Sequence, residues 1–294
     1  MNRIYSVVGI TKQSFHQRVN RQLSLQTKGT KALEAVREIR IDHPRMSSRM
    51  MYKRIKPVHL GRDRFEQFCF KNGFKVPIKR AFHRTTNSLG VTRFENLVTG
   101  KEVSDINQVW VSDITYYRIG ETFYYLTFIL DLKSRFIVGY AVSKGMRTEE
   151  TTIRALQMAQ KMRKGINECM PILHSDGGGQ YYSKELLSIT RAQKIKNSMC
   201  ESVYENACAE RLNGTIKNDY LAGYGPGNWK ELLEMTAKAV WMYNYDRPHQ
   251  AHGNISPYEF EMQLKKSKTQ SVLITPKKEL PTLIARSNNN NIND

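Results

Sequence analysis

The chain has 294 residues, with 46 Lys+Arg against 27 Asp+Glu, a net charge of +19, and 40% hydrophobic residues. That length accommodates two domains, each with its own core, and the charge points to a polyanionic partner, above all nucleic acid. The most apolar run, Thr122 to Leu130, is nine residues long, far below the roughly 20 a membrane helix needs, and the four cysteines form no C-x-x-C pair, which argues against structural zinc and a disulfide framework.

The N-terminus shows no signal-peptide pattern, so a soluble cytoplasmic protein in a reducing compartment is expected. Residues 1–100 hold 21 Lys+Arg against 6 Asp+Glu, whereas the remainder holds 25 against 21. A basic segment ahead of a near-neutral one fits a nucleic-acid-gripping region joined to a working domain. Residues 1–20 read as a short helix, a turn at Gly9 and a second helix opening after Thr11, a helix-turn-helix-like pattern that leaves Lys12 and Arg18 available to DNA. Further helices are expected at about Lys31–Ile41, Ser47–Ile55 and Arg62–Lys71. Residues 73–104, with Gly73, Pro77, Gly90 and Gly100, suggest a linker and a short hairpin.

From Gln108 the texture changes to strand. Val109–Tyr117, Phe123–Leu130 and Arg135–Val142 are β-branched and aromatic, with turns at Ile119-Gly120 and Lys133-Ser134. Thr148 is expected to cap a helix running to about Arg163, with Glu149 and Glu150 in its first turn and Ile153, Leu156, Ala159 and Met162 on one face. Strand Pro171–His174 and a helix from Lys184 to about Gln193, capped by Ser183, come next. Helices at Asn206–Tyr220 and Trp229–Asn244 follow, and the Asn-rich end, residues 287–294, has almost nothing to bury. The order βββαβα is that of an RNase H-like core, an α/β fold with a mixed five-stranded sheet flanked by helices. The expected division is therefore a basic, all-helical DNA-binding region with linker (1–100), a catalytic core (101–262) and a basic flexible tail (263–294).

Three carboxylates stand where burial needs a reason. Asp113 interrupts the run Val109–Tyr117, Asp176 follows the apolar Ile172-Leu173 just before Gly177-Gly178-Gly179, and Glu210 lies on the helix after them. On that helix Asn206, Glu210, Asn213 and Lys217 fall on one face. If strands one and four pair, Asp113 and Asp176 stand side by side. Such an all-oxygen set suits hard divalent cations such as Mg²⁺, and a pair of them is what phosphoryl transfer uses to clamp attacking and leaving oxygens. Asp131 reads as a turn residue, Glu201 and Glu205 as solvated loop carboxylates, and His174 as a hydrogen-bonded core histidine.

Five ordered motifs carry a resemblance: Trp110–Tyr116 with Leu130–Gly139, His174–Tyr181, Asn206–Glu210 with Lys217 beyond it, Tyr243–His249, and Ser256–Glu261. Together they resemble the DDE catalytic core of bacterial insertion-sequence transposases of the OrfB type, cousins of retroviral integrases. The resemblance implies catalysis and metal binding by Asp113, Asp176 and Glu210, two Mg²⁺ ions or Mn²⁺, and hydrolysis to a 3′-hydroxyl followed by strand transfer. It also implies DNA as partner, both the inverted-repeat ends of the element and target DNA. An upstream OrfA protein or fusion is implied too, with a homo-oligomer in the synaptic complex and a nucleoid-associated location in a bacterium. Lys217, Arg247 and His249 are expected near DNA phosphates, with Asn206 and Asn213 as further DNA contacts. Between Asp176 and Glu210 the interval is shorter than the family's usual one, the shortfall falling between Met199 and Tyr204. The residues alone also allow a nuclease or junction resolvase that cuts without joining, or a DNA-binding regulator on an inactive core.

Overall fold

In the computed structural model, residues 9–58, 60–77, 94–163, 170–200 and 206–274 are described. The helical region is α1 (Lys12–Asp42), α2 (Ser48–Ile55) and α3 (Arg62–Lys71). Thr11 is the N-cap of α1, its hydroxyl accepting from Ser14 N at 3.1 Å. The helix does not stop near residue 20, however: the expected second and third helices are one element of 31 residues. No proline interrupts it, and Gly29 costs only about 1 kcal/mol inside a helix. Its C-terminal part docks through Val36 and Ile39 onto Met46, Met51, Phe65 and Cys69, a small core of its own. Residues 1–8, the first part of the expected helix-turn-helix, lie outside the described residues, as do residues 78–93 of the expected linker and hairpin.

The region after the helices is built on β1 (Val109–Ile119), β2 (Thr122–Asp131), β3 (Ile137–Ser143), β4 (Ile172–Ser175) and β5 (Lys196–Met199), in the order β3-β2-β1-β4-β5. The first three strands form the antiparallel meander, and β1–β4 and β4–β5 pair in parallel. This is the mixed five-stranded sheet of an RNase H-like fold. Alternation along β1 divides the core: Val109 and Val111 face one helical layer, Trp110 the other. The first layer contains α6 (Ala207–Gly214) and α7 (Trp229–Tyr245), the second α4 (Thr152–Met162) and α5 (Lys184–Ala192). A last helix, α8 (Pro257–Ile274), is pinned to the end of α4 by the buried Arg163–Glu261 pair, with guanidinium–carboxylate contacts of 2.7 and 2.5 Å. The expected tail thus begins as helix, and residues 275–294 lie outside the described residues.

Three details differ from expectation. Helix α4 starts at Thr152, because Thr148 to Thr151 form a preceding turn in which Thr151 N and Oγ1 both bond to Arg147 O. Met162, expected on the packed face, is 46% exposed. The helix after β5 also changes pitch: beyond Gly214 it continues as a π-helix over Thr215–Leu221, then closes with Ala222–Tyr224.

Candidate active site

The parallel register pairs Ser112 with Ser175. Carried one residue further, it sets Asp113 beside Asp176 on neighbouring strands, which lie about 4.8 Å apart. Asp113 Oδ1 accepts from its neighbour Ile114 N at 2.9 Å, and Oδ2 from Asn213 Nδ2 at 2.7 Å. Asp176 leaves the strand end and accepts from Gly178 N at 3.1 Å. Burial pushes the Asp113 carboxyl up to about 7, and the charge of Asp176 and then that of Glu210 push the same way against the hydrogen bonds from Ile114 and Asn213. Burial raises Asp176 as well. Beneath them lies Tyr181, whose hydroxyl shares a 2.8 Å hydrogen bond with Ser112 Oγ and is held well above its ordinary range by burial and by the two aspartates.

Helix α6 lies across β1 as its face predicted. Asn206 Nδ2 bonds to Ser112 O at 3.1 Å, Asn213 to Asp113, and Lys217 Nζ to Thr115 Oγ1 at 2.9 Å and Tyr116 O at 3.2 Å. Glu210 occupies the same face between Asn206 and Asn213, exposed and within electrostatic reach of Asp113. Among the described residues no three His, Cys, Asp or Glu side chains are close enough together, as they lie, to ligate one ion. The donor chemistry nevertheless fits a hard divalent cation: Asp113, Asp176 and Glu210 are an all-oxygen set whose charges raise Asp113, a repulsion that a bound cation would relieve.

Most of the expected DNA contacts are buried or half-buried. Asn206 and Asn213 are buried, and their amides brace α6 on β1 instead of facing outward. Arg247 is mostly buried and paired with Asp219 at 2.6 Å. His249 is packed edge-on against Tyr243, and burial, followed by the charge of Arg247, lowers it to about 3. Lys217 is half-buried against β1, whereas Lys12 and Arg18 are exposed on the first turns of α1. Asp131 is the turn residue expected, receiving Asn107 N, Lys133 N and Ser134 N on a buried carboxylate. His174 is the core histidine expected, with Nδ1 2.9 Å from Ser198 Oγ. Glu201, Glu205 and the shortened loop lie outside the described residues. Of the glycines after Asp176, Gly177 is closely packed, since an added Cβ would stand 2.9 Å from Met199 Cε, whereas Gly179 has open space around it. Sequence reasoning gave no separate role to Tyr181 or to the Asn213–Asp113 bond; the apolar Tyr after a glycine run and an amide seven residues from Asn206 were the available signals.

Integrase core domains match residues 104–203 and 192–257. A protein of insertion element IS600 from Shigella sonnei is 31% identical over 86% of this chain and 96% of its own. The transposase InsF of insertion sequence IS3A from Escherichia coli (strain K12) is 32% identical, covering 65% of this chain and 67% of its own. Among solved structures, the HTLV-2 integrase catalytic core domain in complex with magnesium superposes with a TM-score of 0.43 at 24% identity, over 53% of this chain and 96% of that one. The chain is thus a DNA-acting polynucleotidyl transferase with an integrase-type, divalent-metal-dependent core. Within that class it belongs to the insertion-sequence transposases, and its activity is DNA transposition. No helix among the described residues is long and apolar enough to cross a membrane.

Proposed function

We propose that Asp113, Asp176 and Glu210 are the catalytic triad and hold two Mg²⁺ ions, for which Mn²⁺ substitutes. The observation that carries this reading is the β1–β4 register, which juxtaposes the two aspartates under the helix face bearing Glu210. The ions, when bound, supply charge stabilisation and lower the pKa of the attacking oxygen. The chain's part is positional. Strand β1 carries Asp113, the end of β4 sets Asp176 beside it, Asn213 holds one oxygen of Asp113, and α6 carries Glu210 to the same edge.

In the first step water attacks the scissile phosphorus and the P–O3′ bond breaks. The element end keeps a 3′-hydroxyl and the flank a 5′-phosphate. In the second step that hydroxyl attacks a target phosphorus and displaces a target 3′-oxygen, so one phosphodiester replaces another. Lys12 and Arg18 on the basic helical region serve in holding the element ends, beside an OrfA-type protein and in a synaptic homo-oligomer at the nucleoid, as the resemblance implies. Transposition from a plasmid-borne element tests the triad: Asp113→Asn and Glu210→Gln are expected to fall at least ~10³-fold, in line with removal of key electrostatic groups. Wild-type frequency in Glu210→Gln would remove that residue from the site.

A further inference from the structure

On α6 and its N-cap the residues facing β1 at Ser112 and Asp113 are Asn206, Glu210 and Asn213, whereas Cys208, Arg211 and Leu212 lie about half a turn round the same helix at 100° per residue. That second face borders a cavity of about 260 Å³ between the catalytic core and α2, which contributes Met50. Arg135, Arg211 and Arg247 line it with Thr215, His249 and Gln250, and no Asp or Glu is among its lining residues.

Three guanidinium groups around one cavity repel each other unless an anion joins them. Arg247 is neutralised from behind by Asp219, but its Nη1 is buried without a hydrogen-bond partner among the described residues. His249 lines the same cavity as a neutral imidazole. No ion pair among the described residues engages Arg135 or Arg211; Arg135 Nη1 reaches only Cys208 Sγ, at 2.6 Å. An unsatisfied buried donor costs about 1–3 kcal/mol, so the cavity is organised for a guest that accepts hydrogen bonds and carries negative charge. The volume is below the roughly 300–1,000 Å³ of sites for whole small ligands, which suits a phosphate with part of a sugar.

We propose that this cavity is a phosphate-clamping site that grips one backbone phosphodiester of bound DNA on the side of α6 away from the triad. It rests on the transposase reading above and adds to it a fixed anchor. An α-helix with its side chains is about 10 Å across. One phosphate locked on the far side of α6 would therefore hold a duplex at a set distance from the carboxylates, by groups that take no part in the chemistry. Forked guanidinium recognition suits a phosphodiester, and Lys substitutes for it poorly.

The test is the affinity of the full-length protein for a mixed-sequence DNA duplex, measured by fluorescence anisotropy between about 50 and 200 mM salt. Arg211 is exposed, so Arg211→Glu leaves the fold intact; it is expected to weaken binding about tenfold and to reduce the salt slope by about one, as loss of one phosphate contact does. Arg211→Lys should recover part of the affinity. Methylphosphonate at one particular backbone position should weaken wild type by the same factor and cause no further loss in Arg211→Glu. Unchanged affinity in Arg211→Glu, or additive losses at every methylphosphonate position, overturns the proposal. A thermal shift with inorganic phosphate that Arg211→Glu abolishes, with DNA affinity unchanged, overturns it in favour of a free-anion site. The triad reading fails by a different sign, hydrolysis by Asp113→Asn, so the two failures are distinguishable.

Discussion

Asp113 bears a large electrostatic penalty. Its carboxyl is raised from 3.8 to about 7 by burial first and by Asp176 and Glu210 after that. The folded, metal-free protein therefore keeps a proton at Asp113 between about pH 4 and 7 that the unfolded chain releases. Stability falls as pH rises through that window, and the penalty is complete above pH 7. A rise of that size corresponds to on the order of 4 kcal/mol, so metal-free Asp113→Asn is expected to be more stable than wild type at pH 8 by up to that amount, and equal to it at pH 4. Urea titrations at the two pH values read this directly. Equal stabilities at pH 8 would show that the aspartates do not share a charged pocket. Asn213 gives a second residue-scale outcome: its amide steadies Asp113, so Asn213→Ala should lower transposition about 10–100-fold, the usual cost of removing a group that orients a metal ligand. Purified Asn213→Ala with wild-type activity would leave that hydrogen bond without a role.

At the scale of elements, strands were the most legible part of the sequence. β1 to β4 lie within two residues of their expected limits because β-branched and aromatic runs are bounded by sharp turns, such as that at Gly120, which takes φ +56. Both aspartates could be placed from those strands, and the face of α6 followed from its 3.6-residue period as far as Gly214. What lay beyond reach depends on tertiary partners. The π-helical turn at Thr215–Leu221 has no local sequence signature. The burial of Asn206, Asn213 and Arg247 is set by β1 and Asp219, which are distant in sequence. Thr148 looked like a cap because Glu149 and Glu150 follow it, yet the turn consumed those residues. One close approach was equally hidden. Gly139 on β3 lies against α4 so closely that an added Cβ would meet Ala155 O at 2.1 Å and Ala159 N at 2.9 Å. Both are backbone atoms, so no side-chain rotation relieves the clash. Gly139→Ala should cost at least about 3 kcal/mol, the upper range for overpacking. A loss below about 1 kcal/mol by denaturant unfolding would mean that α4 rides freely over the sheet.

Across the whole molecule, the helical region is fastened to the catalytic core through the segment His43-Pro44-Arg45 between α1 and α2. His43 is buried, with Nδ1 2.9 Å from Tyr220 Oη and Nε2 2.8 Å from Asp246 Oδ2. Arg54 Nη1 adds a 2.5 Å contact to the same Asp246 oxygen, and Arg45 N donates to Asp219 O. Pro44 fills the space beside Gly223, where a Cβ would stand 2.5 Å from the proline ring. Tyr220 and Asp219 belong to the π-helical continuation of α6, so the clamp grips the element that carries Glu210. The hydrogen bond from His43 and the neighbouring Arg54 hold the Asp246 carboxyl down to about 2. A depressed carboxylate stabilises docking above its ordinary value of 3.8 and stops doing so as pH falls through 2. Because the Asp246 side chain is about one-third exposed, screening reduces its contribution. Asp246→Asn is therefore expected to cost about 1–2 kcal/mol at pH 7, the range for a charged hydrogen bond in partly exposed surroundings, and nothing near pH 2. Hydrogen exchange at pH 7 should then show faster exchange in α2 and in the π-helical turn together, with β1 to β3 unaffected. Faster exchange in α2 alone would mean that the clamp holds the helical region without bracing the glutamate helix.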